Sequence, residues 1–434
     1  QQAQQQQPRS LTLIERSFRT VNLSSGPTAL RDGEYLELEN LMPYGEGHAT
    51  VFPGPGNAIA APTGKTIAAI WGVVIALHPY IIAQMTDGSV YATWASAGNA
   101  FVLIAAAGST TVNGLHIDKW QATDGQGNPE AMLWVDTVKG YGSWDGTTWR
   151  TLQAGQTGQC LAVYAGRVWI GNGQEVVYTA PDTYNDFNAA DYAGAFKVTD
   201  PSMNGPIIAL RATQNWLYLI GSGMVALNNV QVQNVAGSSA LSTTFFITPV
   251  SSSVGITTDR AAIVLDNILF LVTSTGLWAY RGLNGQNIAN NMGDNFAGSQ
   301  SLFAAQVYAK NLLITSAGYC LMVDTGQWFT TVADSLTWVS TATIIWQGLS
   351  GWATNGSSAF QIGADTTTVR HCVLHSKLFD AGNGAANKRA INAGFELFQD
   401  GLLASPPTGR KVSGTWNLAG FLVSSPSQSF GSLD

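Results

Sequence analysis

From about Thr66 onward the chain repeats one pattern of apolar and polar positions. A short apolar run is followed by a turn, a second run ending in an aromatic or large aliphatic pair, a glycine-containing turn and a third run. Ile67-Ala68-Ala69-Ile70-Trp71, Tyr80-Ile81-Ile82-Ala83-Gln84 and Val90-Tyr91-Ala92-Thr93-Trp94 form the first unit, with Asp87-Gly88 as a turn. The second holds Ala131 to Val135, Gly140 to Trp144, the turn Asp145-Gly146 and Trp149. The third holds Cys160 to Tyr164, Arg167 to Ile170 and Val176 to Tyr178, and the fourth Ile207 to Leu210, Trp216 to Ile220 and Met224 to Leu227. Ala262 to Leu265, Ile268 to Val272 and Leu277 to Tyr280 make a fifth, and Phe303 to Phe329 a sixth with four runs. A weaker unit follows through Ala342 to Ile345, Gly351 to Ala353 and Ala359 to Ile362. Runs this short, bounded by Gly, Asn and Asp and rich in β-branched and aromatic residues, predict strands.

Taking Trp169, Tyr218, Phe270, Leu313 and Trp352 as equivalent second-strand positions, the units recur 39 to 52 residues apart. That is the length of a four-stranded propeller blade. One small twisted sheet cannot bury both of its faces, whereas a ring of sheets buries a continuous core between neighbours and removes exposed edges. The pattern therefore predicts an all-β chain, a β-propeller of six or seven blades with extended N-terminal and C-terminal segments. A chain of β-sandwich domains would not give a strand triplet at a near-constant period.

The flanks read differently. Residues 1–17 are a Gln-rich arm, and 18–65 an extended N-terminal segment in which Tyr35 to Leu41 alternates as a strand before Pro and Gly break the chain. The propeller is placed at 66–380. Residues 381–434 hold further strands, with alternation at Ala393, Phe395 and Leu397, and a Ser/Pro-rich tail. This last part either finishes the ring or forms a small separate sheet.

Composition narrows the function. At 45% hydrophobic the chain can bury a large core, yet only 11% of its residues are charged. A surface built from Ser, Thr, Asn, Gln and backbone suits broad contact with other chains, since each buried unpaired charge is costly. A formal charge of −7 argues against a nucleic-acid-binding surface, which needs a basic patch. No run approaches the roughly 18 apolar residues of a membrane-spanning helix. The first residues lack the basic and apolar regions of a signal peptide.

Reactive constellations are missing. Cys160, Cys320 and Cys372 lack metal-ligand spacing and are expected to be buried thiols. His371 and His375 bracket Cys372-Val373-Leu374, a strand-like stretch, which sets them about 13 Å apart, too far to share a metal ion. Gly221-Ser222-Gly223 reads as a turn between strands, without the helix a nucleophile elbow requires. Pro62-Thr63-Gly64-Lys65-Thr66 lacks the glycine pattern of a phosphate loop.

Asp118, Asp136, Asp259 and Asp266 are the carboxylates that a hydrolytic propeller would have to bring together. Asp87-Gly88, Asp145-Gly146, Asp266-Asn267 and Asp324-Thr325-Gly326 are better read as hairpin turns. Asp182, Asp186 and Asp191 lack calcium-loop spacing. Trp71, Trp134, Trp169, Trp216 and Trp278 fall on the strand period and are expected in the core between blades rather than on a sugar-binding face. The expectation is no catalytic, cofactor-binding or metal residue, no cofactor, and no enzyme.

The stretch Leu30-Arg31-Asp32-Gly33-Glu34-Tyr35-Leu36-Glu37-Leu38-Glu39-Asn40-Leu41-Met42-Pro43 resembles the opening of the tail hub or nozzle propellers of short-tailed bacteriophages, the packaged-DNA-stabilisation type. Gly166 to Ile170 followed by Val177 to Phe187 is similar to a mid-chain blade of that family. Trp278 to Gly282 and Ala385 to Ala390 are similar to later stretches. The resemblance spans about residues 18 to 398. It implies a structural virion protein in the tail or neck, a homo-oligomeric ring, of six copies in that family, around the DNA exit channel. The implied partners are the adaptor and portal-proximal tail proteins and fibres or spikes, with packaged DNA passing without sequence-specific binding. Asn228 to Thr244 and Gly282 to Ser299 are read as loops that line the channel or meet partners. The alternative is a receptor- or glycan-binding propeller module.

Overall fold

The computed structural model describes residues 19–25, 29–31, 33–43, 49–94, 99–234, 241–293, 295–296, 300–331, 351–365, 372–375, 415–416 and 428–429. It is a seven-bladed β-propeller. Blade 1 comprises Ile67–Ile75, His78–Met85, Val90–Trp94 and Val102–Ala105, hydrogen-bonded in that order from axis to rim. Blade 2 comprises Leu115–Trp120, Ala131–Asp136, Gly140–Trp144 and Trp149–Gln153, and blade 3 Cys160–Tyr164, Arg167–Asn172, Glu175–Tyr178 and Gly194–Lys197. Blade 4 is built from Ala209–Ala212, Leu217–Ile220, Met224–Asn234 and Leu241–Ser251, and blade 5 from Ala262–Leu265, Ile268–Thr273, Gly276–Arg281 and Asn284–Asn287. Blade 6 runs Leu302–Val307, Lys310–Thr315, Tyr319–Met322 and Gln327–Thr330. Pairing within each of these blades is antiparallel.

Blade 7 combines distant parts of the sequence. Trp352–Thr354 pairs with Ser358–Asp365, whose other edge is taken by Gly54–Ala60 from the N-terminal segment. The chain then passes directly into blade 1, so the ring is closed from its N-terminal side. The same segment also covers blade 6: Glu37–Glu39 lies parallel to Gln327–Thr330 and antiparallel to Val373–His375. The 18–65 stretch is thus built into the ring rather than leading up to it. Of the strands expected beyond residue 376, only the short pair Thr415–Trp416 with Gln428–Ser429 falls within the described residues.

Because both faces of each blade are covered by neighbours, core strands are buried throughout rather than alternately. Ala131–Asp136 is buried at every position. Ile82, Ala92, Leu115, Met132, Trp134 and Trp144 form the layer between blades 1 and 2. Leu133, Tyr141, Leu161 and Ile170 fill the layer between blades 2 and 3, and Trp169, Leu210, Leu219 and Val225 the next. Gly142 shows how tight this packing is: a Cβ there would lie 2.3 Å from Trp134, the ring that stacks on Trp149 at 4.7 Å. Ile59, from the N-terminal strand, packs with Ile67, Ile81, Trp352 and Ala359 between blades 7 and 1.

Two sequence expectations change. The second unit opens at Leu115–Trp120, not at Ala131, because this inner strand carries His116, Asp118 and Lys119 and looks polar. Asn228 to Thr244 is not a loop: its described residues belong to a long hairpin, Met224–Asn234 with Leu241–Ser251. Within Gly282 to Ser299, Asn284–Asn287 is the outer strand of blade 5. No helix among the described residues is long and apolar enough to cross a membrane.

Candidate functional site: the axial channel and the blade 4 hairpin

The innermost strand of each of blades 1 to 6 has a neighbour on one side only. Its other edge faces the axis, and its backbone N–H and C=O groups there need partners. Two charged side chains supply them. Asp118, on the inner strand of blade 2, accepts from the Val163 N–H of blade 3 at 2.8 Å and from the Lys119 N–H at 2.7 Å. Arg211, on the inner strand of blade 4, donates to the carbonyls of Ala262 (2.9 Å), Asp259 (2.6 Å) and Leu210 (2.8 Å).

Arg211 also pairs with the Asp259 carboxylate at 2.8 Å, and the His116 Nδ1 lies 3.3 Å from the other Asp259 oxygen. His116 belongs to blade 2, and Asp259 leads into blade 5. Two whole blades separate them around the ring, so this contact crosses the axis. The strut His116–Asp259–Arg211 interrupts the channel of the single propeller. Beside it lies a cavity of about 840 Å³ lined by Trp71, Asp118, Lys119, Leu161, Arg211 and Ile263, among others.

Electrostatics fit a supporting role. Burial pushes the Asp259 carboxyl up, but Arg211 and His116 outweigh it and hold the group well below the usual carboxylate range. Burial raises Asp118 above that range, opposed by its two backbone N–H donors and by Arg211. Lys119 is engaged by Glu130 at 2.5 Å. A glycosidase would need one carboxylic acid and one carboxylate free to face a sugar. Here Asp118 and Asp259 reach the same channel, but their oxygens serve backbone donors, Arg211 and His116.

The other candidate carboxylates lie elsewhere. Asp136 is buried and accepts from the N–H groups of Thr111, Val138 and Lys139, clamping a turn. Asp266 and Asn267 form a hairpin turn with positive φ at both residues. Asp145 accepts from Thr147 and Thr148 N–H, again as a turn clamp. Asp182 sits at positive φ beside Gly166, Asp186 accepts from the Asn188 N–H, and Asp191 from the Asn188 side chain. Gly221-Ser222-Gly223 joins two strands of blade 4.

His375 lies in a strand, and His371 is outside the described residues. No group of three or more His, Cys, Asp or Glu among the described residues is placed to hold a metal ion. Cys160 and Cys320 are buried, while Cys372 is half-buried rather than buried. Trp71, Trp134 and Trp169 are core residues; Trp216 and Trp278 are partly buried against the core.

Sequence reasoning missed the second feature. The blade 4 hairpin has 11 residues in each strand, beside a 4-residue second strand. Its register breaks between Asn228 and Gln231, with Asn229 at φ 54°, a bulge that bends the ribbon. The bent part rests on blade 3. Phe245 packs against Phe196 at 4.8 Å and edge-on to Trp169 at 5.8 Å. The buried Arg167 stands over the Tyr178 ring and donates to Thr243 Oγ1 (2.9 Å) and to the carbonyls of Thr179 and Tyr192. The hairpin is therefore a braced projection. The signal in the sequence was the absence of any Asp, Glu, Lys or Arg across residues 212–258.

No family model matches the chain, and no curated protein matches it. Among solved structures it is similar to BamB from Moraxella catarrhalis, at TM-score 0.42 and 12% identity over 77% of this chain and 96% of that one. It is also similar to the extracellular domain of a hybrid two-component system of B. thetaiotaomicron, at TM-score 0.44 and 13% identity, covering 71% of this chain and 40% of that one. The computationally designed Ika8 protein matches at TM-score 0.40 and 10% identity, over 71% of this chain and all of that one (100%). The chain is a seven-bladed β-propeller scaffold whose channel charges are spent on holding the ring together.

Proposed function

We propose that this chain works by assembly: it is a structural component of a bacteriophage tail, forming with copies of itself a ring around the DNA exit path. The observation that carries the reading is the blade 4 hairpin, a long, uncharged ribbon braced against blade 3 and projecting beyond the blade's short second strand. A charge-free surface of this kind is suited to burial against protein, where unpaired charges would oppose docking. The strut across the axis adds a constraint: DNA would run through the hole between copies, not through the hole of one propeller. The family resemblance of the N-terminal segment supports the virion setting.

A receptor- or glycan-binding propeller is the second reading. It is favoured by the axial cavity of about 840 Å³ and by the half-exposed Trp94 stacked on His78 at 4.8 Å. Mass photometry and negative-stain imaging of the full chain separate the two. A closed ring of copies with a central hole supports the tail reading. A monomer that binds glycan on an array without cleaving it supports the second.

A further inference from the structure

Exposed apolar side chains are not spread evenly over the described surface. Of the nine exposed large apolar side chains among the described residues, Leu77 (92% exposed), Trp94 (50%), Val102 (65%) and Leu103 (52%) belong to blade 1 and its hairpin tip and Leu241 (48%) and Phe246 (64%) to the blade 4 hairpin, while Val112, Val138 and Leu283 stand singly elsewhere. All but Leu77 of these six fall within two stretches lacking Asp, Glu, Lys and Arg, residues 88–117 and 212–258. Ala76 and Leu77 occupy their two-residue turn at φ 49° and 66°, a geometry that Asn and Gly ordinarily fill. A leucine is held in that turn with its side chain almost wholly in solvent.

Both regions also end in an open sheet edge. Among the described residues no strand pairs with the outer side of Val102–Ala105 or of Leu241–Ser251. The outer strands of blades 2, 3 and 5 are open as well but carry no exposed large apolar side chain, and blades 6 and 7 have their rims covered by the chain's own N-terminal segment. An open, uncharged edge with apolar neighbours is a template for another chain. Blades 1 and 4 stand three blades apart in a ring of seven, on different flanks of the molecule.

We infer that these two flanks are the two halves of one contact between copies, the blade 1 edge of one subunit docking against the blade 4 hairpin of the next. This rests on the ring reading above and names the surfaces it would use. A net charge of −7 makes copies repel at long range, so a self-contact is best placed where neither surface carries charge. Two different patches on different flanks make a head-to-tail contact, which closes into a ring when the rotation per subunit closes. A single self-complementary patch would stop at a dimer.

The test uses the full chain and two surface variants, Val102→Lys with Leu103→Lys, and Leu241→Lys with Phe246→Lys. Far-UV circular dichroism and melting confirm that each is folded, and serine versions at the same positions replace any that is not. Native mass spectrometry is expected to show a closed oligomer for wild type and monomer for each variant alone. Each variant keeps one good half, so mixing the two restores a single junction and gives a one-to-one pair that grows no further. Assembly that persists in either variant, or a mixture that stays monomeric, overturns the contact while leaving the ring reading in place. A wild-type chain that is monomeric at its highest soluble concentration removes both.

Discussion

Replacing Arg211 by Met tests whether the channel charges are structural. The methionine keeps the length of the aliphatic stem but removes three donors, to Ala262, Asp259 and Leu210 carbonyls, and the partner of the Asp259 carboxylate. Removing one member of a buried ion pair costs about 3–5 kcal/mol, because the other charge is left desolvated. The Arg211 and Asp259 side chains keep 22% and 23% of their exposure, which favours the lower end, about 3 kcal/mol.

The cost should depend on pH with a definite sign. In the wild type Asp259 has a folded pKa below its unfolded value of about 3.9, so its contribution is present above about pH 4 and is lost as pH falls through the folded value. In the variant, burial is no longer outweighed by the guanidinium, and the folded pKa rises. The variant's penalty is then largest near pH 7.5 and shrinks toward about pH 5, where Asp259 can take up a proton. Urea unfolding of both proteins at the two pH values gives the difference directly. Asp259→Asn in the Arg211→Met background should recover part of the loss. A penalty below about 1 kcal/mol, or one that is the same at both pH values and in both backgrounds, would refute the role assigned to the strut.

Other expectations follow from the core. Ile59→Asp puts an unpaired carboxylate into the seam between blades 7 and 1 and should cost about 4 kcal/mol or more, read out as rapid proteolysis of the opened ring. Trp169→Ala removes the centre of the aromatic cluster and its hydrogen bond to the Tyr164 carbonyl, for about 3–5 kcal/mol. Phe245→Ala, at a half-buried position, should cost less and should speed hydrogen exchange in the hairpin while sparing blades 6 and 7. Burial holds the Cys160 thiol far above its usual range, so iodoacetamide near pH 8 should label it only after denaturation.

The propeller was legible because most of its strands are buried on both faces and so spell continuous apolar runs at a blade's spacing. Trp169, Tyr218, Phe270 and Leu313 sit on the second strands of blades 3, 4, 5 and 6, as their period requires, and Trp352 lies on a strand of blade 7. Leu115–Trp120 was not legible for the opposite reason. An inner strand borders the axis, and there Asp118 satisfies edge N–H groups, His116 reaches across the ring and Lys119 pairs with Glu130, so the run loses its apolar signature. Turn aspartates such as Asp145 and Asp266 were readable from local spacing alone: Asp145 accepts from Thr147 and Thr148, and Asp266 and Asn267 take the positive φ of a tight hairpin. The meeting of Asp118, Arg211 and Asp259 depends on three different blades, and no local pattern carries it.

Ring closure shows the same limit from another side. Gly54–Ala60 is short, glycine-rich and broken by proline, and by itself it makes a poor strand. It is a strand because Ser358–Asp365, some three hundred residues away, offers an edge and Ile59 finds a core between two blades. Pairing the first part of the chain with the last blade stitches a ring that would otherwise open at one seam. The N-terminal segment then continues that task on blade 6, while among the described residues no strand covers the uncharged rims of blades 1 and 4. A chain that covers the rims of blades 6 and 7 with its own N-terminal segment, and leaves exposed apolar side chains beside the open rims of blades 1 and 4, keeps those two rims for the contact between copies proposed above.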